Sequence, residues 1–174
     1  MGAADLLSSL RLGVALLLPL ALMRGGGLPA LLWIVGAASD YFDGPLARRT
    51  GTVTRHGMLL DNAADIALVL GGLGTAAALG IVPWLVPAAV LLAVVDYARA
   101  ALEVTHGVVN ARAVRSRIGH AAGVTNYACL GVVCARVAWS DAVPTEVLLL
   151  AELATIAVNV GAVIERVVLR SRPA

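Results

Sequence analysis

The chain has 174 residues, 60% of them hydrophobic and only 14% charged, with a mean hydropathy of +0.89. Soluble domains carry about one quarter charged residues, so this balance excludes an ordinary soluble domain and points to a membrane protein. All 13 basic residues are arginine, and the formal charge is only +2; without a basic, aromatic-interleaved patch this argues against a nucleic-acid partner.

A bilayer span needs about 20 largely apolar residues, and six stretches qualify: 6–23, 28–47, 57–82, 84–105, 119–138 and 145–166. The first resembles a signal peptide in its apolar run. The following Arg24 and Gly25–Gly27 do not form a small-residue cleavage site, so it reads as a retained first helix. Gly25–Gly27 with Pro29 separates the first pair. Pro83 and Pro144 open the fourth and sixth spans, near first-turn positions where a missing N–H is tolerated. Cys129 and Cys134 lie in an apolar stretch, match no zinc or redox spacing, and are expected as buried thiols.

Arginine placement gives the orientation. With a cytoplasmic N-terminus the inner ends carry Arg11, Arg48, Arg49, Arg55, Arg99, Arg112, Arg115, Arg117, Arg166, Arg170 and Arg172, and the outer turns only Arg24 and Arg136. The expected fold is all-α: a single membrane domain over residues 1–174, with six transmembrane helices and both termini cytoplasmic. Trp33, Trp84 and Trp139 fall near the outer ends, where indole favours the interface.

Ionisable groups inside a bilayer are expensive, and four carboxylates sit in these spans. Asp40 and Asp43 are i, i+3 in the second span; Asp61 and Asp65 are i, i+4 in the third. A short connection makes these helices antiparallel neighbours, so all four can converge near the inner end of one helix pair. Four like charges cannot all stay ionised unaided there. Either some are protonated or cations bind, and hard oxygen donors favour Mg²⁺ or Mn²⁺ over zinc. Gly44, Ala47 and Gly57 leave room beside the carboxylates, and Arg48 can clamp a phosphate or serve as a positive-inside anchor.

Written out, the segment is Asp40-x-x-Asp43-Gly44-x-x-Ala47-Arg48-x8-Gly57-x-x-x-Asp61-x-x-x-Asp65. It resembles, with no position missing, the signature of the CDP-alcohol phosphotransferase family (class I CDP-alcohol phosphatidyltransferases). The resemblance implies a six-helix bundle, usually a homodimer, with a polar cavity open to the cytoplasm. It implies a CDP-linked lipid donor, a small alcohol acceptor, membrane lipids as surroundings, and release of CMP. Asp40, Asp43, Asp61 and Asp65 take the places of ligands to one or two Mg²⁺ or Mn²⁺ ions, and Asp65 also that of the proton acceptor. Gly44 and Arg48 take those of contacts to the CDP group, Ala47 and Gly57 make room for it, and Thr54 is a further nucleotide contact.

The layout is nearest to phosphatidylglycerophosphate synthase-like members, with departures. Ile66 follows Asp65 where those synthases usually have Lys, and Ser116-Arg117-Ile118-Gly119-His120 replaces their usual Lys-Thr pair. Arg112, Arg115 and Arg117 cluster before the fifth span. They suit a phosphorylated acceptor such as glycerol 3-phosphate, or simply topology and anionic lipid. Asp96 and Arg99, i, i+3, suggest a local ion pair. A cation or proton transporter is the alternative class. It accounts for the aspartates but not for the fixed spacing of Gly44, Ala47, Arg48 and Gly57.

Overall fold

A computed structural model describes the backbone of residues 3–50, 55–105 and 116–171, and the side chains of residues 9–39, 61–105 and 116–171. Six helices follow in chain order: α1 (Ala3–Arg24), α2 (Leu28–Thr50), α3 (Arg55–Ala78), α4 (Leu85–Thr105), α5 (Arg117–Ala138) and α6 (Thr145–Ser171). The described chain is all-α, and each expected span corresponds to one helix. Among the described residues α4, α5 and α6 are long and apolar enough to cross a membrane.

Helix ends differ from the sequence expectation where local caps decide them. The third span was expected to run to residue 82, yet α3 stops at Ala78. Gly80 takes a φ of +72°, its N–H bonds to Ala77 O at 3.0 Å, and the Ile81 N–H reaches back to Ala76 O at 2.9 Å. This paired capping satisfies carbonyls that a helix end otherwise leaves open, and glycine enters that backbone region without steric cost.

Packing follows helical spacing. Val14, Leu18 and Leu22 share one face of α1 and join a core with Leu68, Leu73 and Ala76 of α3 and Leu130 and Val133 of α5. α1 lies against both α2 and α3; α6 packs against α4 and α5, and α5 also meets α2 and α3. The α2–α5 contact depends on Gly131, where an added Cβ would come within 2.5 Å of the Trp33 indole. Trp33 therefore turns inward rather than to an interface, donating its ring N–H to Tyr127 O at 3.0 Å. Trp84 and Trp139 are exposed, and both cysteines are free and buried as expected. Outward-facing Leu16, Leu17 and Leu20 on α1 and Leu149, Leu150 and Leu153 on α6 remain exposed, a surface suited to lipid.

Candidate active site

Asp61 and Asp65 project from one face of α3, one turn apart, and among the described residues both meet Arg11. Arg11 of α1 donates through Nη1 to Oδ1 of Asp61 and to Oδ1 of Asp65 at 2.8 Å. Its Nε donates to Ser39 Oγ of α2 at 3.3 Å, and the Ser39 hydroxyl donates on to Gly36 O at 2.7 Å. The Arg11 side chain is 0% exposed, against 38% for Asp61 and 28% for Asp65. A guanidinium so buried must be paired, and its planar fork of donors suits two carboxylates one turn apart. Tyr127 of α5 adds a second donor to Asp65 Oδ1, at 2.7 Å. The site thus draws on α1, α2, α3 and α5.

The sequence places Arg11 among the inner-end arginines, without a site role, and gives Tyr127 none. The signal for Arg11 was present, since a charge inside an apolar span asks for a partner; its partners, 50 and 54 residues away, are set only by the packing of α1 on α3. Asp40, Asp43, Gly44, Ala47 and Arg48 fall within α2 and Gly57 within α3, but their side chains lie outside the described residues, as do Thr54, Arg112 and Arg115 altogether. Among the described residues no group of three metal-ligating side chains forms. What is described fits a hard divalent ion: two partly open carboxylates on one helix face already share one positive charge.

A cavity of about 740 Å³ opens beside this cluster. Its lining includes Asp65, Tyr127, Ser116, His120 and Arg166 together with the apolar Val69, Val90 and Val94. Arg117, the first residue of α5, is exposed and is not among its lining residues. Among the described residues, Arg166 of α6 is the arginine that lines it. Its Nη1 donates to Asp96 Oδ2 and Ala93 O, both at 3.1 Å, and its guanidinium carbon lies 5.6 Å from the Tyr97 ring centre, a cation–π distance.

Asp96 therefore pairs across to α6, not along its own helix. Arg170 also reaches it, Nη2 to Oδ1 at 2.9 Å, while Arg99 is exposed; this corrects the local pair expected from spacing. Ser116 caps α5 by accepting from the Gly119 N–H at 2.7 Å and donates its hydroxyl to Glu165 of α6. Glu165 also accepts from the Ile118 N–H at 3.2 Å, placing a carboxylate at a helix N-terminus where the dipole favours it. Deeper in, Asn159 donates to Asn126 Oδ1 at 2.6 Å, joining α5 to α6. Asn126, Asn159 and Glu165 carried no clear sequence signal, because each acts through a residue on another helix.

Comparison with known proteins agrees with this arrangement. The chain is similar to two proteins of Mycobacterium tuberculosis, from strains CDC 1551 / Oshkosh and ATCC 25618 / H37Rv, each named "Probable phosphatidylglycerophosphate synthase". In both cases it is 36% identical over 95 residues, covering 51% of this chain and 46% of the relative. The match thus spans about half the length of these curated relatives. The family model described as CDP-alcohol phosphatidyltransferase matches residues 1–165, nearly the whole chain, and lends no support to a transporter. With its aspartate motif, helical bundle and cavity, the chain belongs to the CDP-alcohol phosphatidyltransferase family.

Proposed function

We propose that the protein transfers a phosphatidyl-type group from a CDP-linked lipid to the hydroxyl of a phosphorylated polyol of the glycerol 3-phosphate kind, releasing CMP. The observation that carries this reading is one cavity whose lining includes both Asp65 and Arg166. A carboxylate suits the reacting hydroxyl, and a guanidinium suits a phosphate. An added Cβ at Gly119 would lie 2.8 Å from Arg166 Nη2, so the guanidinium lies against the first turn of α5. The printed name of the Mycobacterium relatives supports an acceptor of this class.

Asp40, Asp43, Asp61 and Asp65 would hold one or two Mg²⁺ or Mn²⁺ ions, which neutralise the diphosphate and the departing CMP. Helix continuity favours this set. Gly36 lies against Leu68 and Ser39 shares Arg11 with Asp65, an antiparallel register that brings the backbone at residues 40 and 43 level with residues 61–65. Asp65 takes the proton as the acceptor oxygen bonds to the lipid-side phosphorus and the bond to the CMP oxygen breaks. Tyr127 holds the Asp65 carboxylate in place for that transfer. Gly44, Ala47, Arg48, Thr54 and Gly57 would receive the nucleotide, and the apolar portion of the cavity the lipid. In this reading all six helices span the membrane, the site faces the cytoplasm, and the protein is a homodimer.

The test is direct. Purified protein is incubated with CDP-diacylglycerol and a panel of alcohols while CMP release is followed, with and without chelator. Glycerol 3-phosphate is expected to be the preferred acceptor. Chelation is expected to abolish turnover, with Mg²⁺ or Mn²⁺ restoring it. Arg166→Gln should raise the acceptor KM much more than the CDP-lipid KM. Full turnover in excess chelator, or preference for an uncharged alcohol, would refute the corresponding part.

A further inference from the structure

We propose that Arg11 is the resident cation of the carboxylate site: it holds Asp61 and Asp65 before a divalent ion binds, and competes with that ion for them. The inference rests on the reading of these two aspartates as metal ligands. Its observations are separate from that reading. Arg11 is fully buried in α1, yet its guanidinium is aimed at the two carboxylates rather than at lipid or the helix ends.

Two carboxylates one turn apart repel each other. Arg11 removes that repulsion by donating to an oxygen of each. A divalent ion needs the same carboxylates. Two cations on shared oxygens repel, so ion entry must loosen the Arg11 contacts, and the affinity for metal is lower than two bare carboxylates would give.

Two further contacts make such an exchange workable. The Arg11 Nε is tethered to Ser39 of α2, so the guanidinium stays beside the site when its carboxylate contacts loosen. Tyr127 keeps an independent hydrogen bond to Asp65 Oδ1, so Asp65 does not depend on Arg11 alone for its orientation. Arg11 is in this sense a positioning residue. It assembles the ligand pair in the metal-free protein and sets how tightly the ion is held.

The experiment measures Mn²⁺ binding by the full-length protein in detergent, reading free Mn²⁺ by electron paramagnetic resonance, for wild type, Arg11→Gln and Arg11→Lys. Removing one cation beside partly exposed carboxylates is expected to tighten Mn²⁺ binding about tenfold in Arg11→Gln. Lysine keeps the charge but loses the Nε contact to Ser39, so Arg11→Lys should tighten it by about threefold. Thermal unfolding supplies a second measure. Arg11→Gln should melt below wild type in chelator, and saturating Mn²⁺ should close most of the gap.

A wild type that binds no Mn²⁺ overturns the metal reading and this inference with it. A wild type that binds, with Arg11→Gln binding equally or more weakly, overturns the inference alone. If Arg11→Gln folds only with Mn²⁺ present, the proposal stands. If it folds in neither condition, Arg11→Lys decides: unchanged or weaker affinity rejects the proposal, tighter affinity supports it.

Discussion

Replacing Asp96 by Ala removes the acceptor that holds two arginines of α6. Arg166 is the costly one: its side chain is 5% exposed, and Asp96 is its carboxylate partner at 3.1 Å. Breaking a buried pair from one side leaves an uncompensated charge and costs about 3–5 kcal/mol. Arg170 adds little, about 0–1 kcal/mol, because it is 21% exposed and keeps Glu103 at 3.0 Å. Asp96→Ala should therefore lose about 3–5 kcal/mol of stability, with Arg99→Ala, an exposed neighbour, within about 0.5 kcal/mol of wild type. Unfolding in mixed detergent–SDS micelles, followed by tryptophan fluorescence, measures both. Replacing the pair together, as Asp96→Leu with Arg166→Met, should recover much of the loss, since apolar groups of similar size substitute well for a buried ion pair. Destabilisation of Asp96→Ala below about 1 kcal/mol, the range of an exposed pair, would refute the argument. So would a double variant no more stable than the single one.

Asp65→Asn keeps the size and one oxygen of the side chain but loses its basicity. Single-turnover CMP release should fall by about 10²-fold or more while calorimetry still detects CDP-lipid binding, and near-normal turnover would move the proton acceptor elsewhere. Gly131→Ala forces a methyl group into the Trp33 indole and should cost about 1–3 kcal/mol of overpacking in the same micelle unfolding; a wild-type midpoint would show that the α2–α5 contact yields freely.

The helices were legible because their signals are local. Apolar length marks each one, glycine and proline mark the breaks, and helical spacing puts Asp61 and Asp65 on one face. Partner choice was not legible. Asp96 has Arg99 one turn away, yet it pairs with Arg166 and Arg170 on α6, 70 and more residues on; burial, not spacing, selected them. Arg11 reads from sequence as an inner-end charge, while its direction, toward α3, depends on how α1 packs. The acceptor side shows the same limit. Arg112 and Arg115 stand out in sequence but lie outside the described residues; among the described residues the arginine lining the cavity is Arg166, near the end of a long apolar helix. Asp40, Asp43 and the residues proposed to receive the nucleotide rest on the motif, since their side chains lie outside the described residues.

The most apolar of the three clearly membrane-length helices also carries a polar wall. α6 has a window of mean hydropathy 2.2, yet its buried stripe runs Leu148, Glu152, Thr155, Asn159, Ala162, Arg166, while Leu149, Leu150, Leu153, Val160, Ile164 and Val167 face outward. This division acts as an azimuthal lock. A turn of the helix about its own axis by one residue, roughly 100°, would swing Asn159 and Arg166 toward hydrocarbon and leucines into the cavity. Exchange among Leu, Ile and Val on the outer arc leaves the heading of the inner arc unchanged. The lipid-facing half of α6 can thus follow the fluidity of its bilayer without rotating the guanidinium that looks into the cavity.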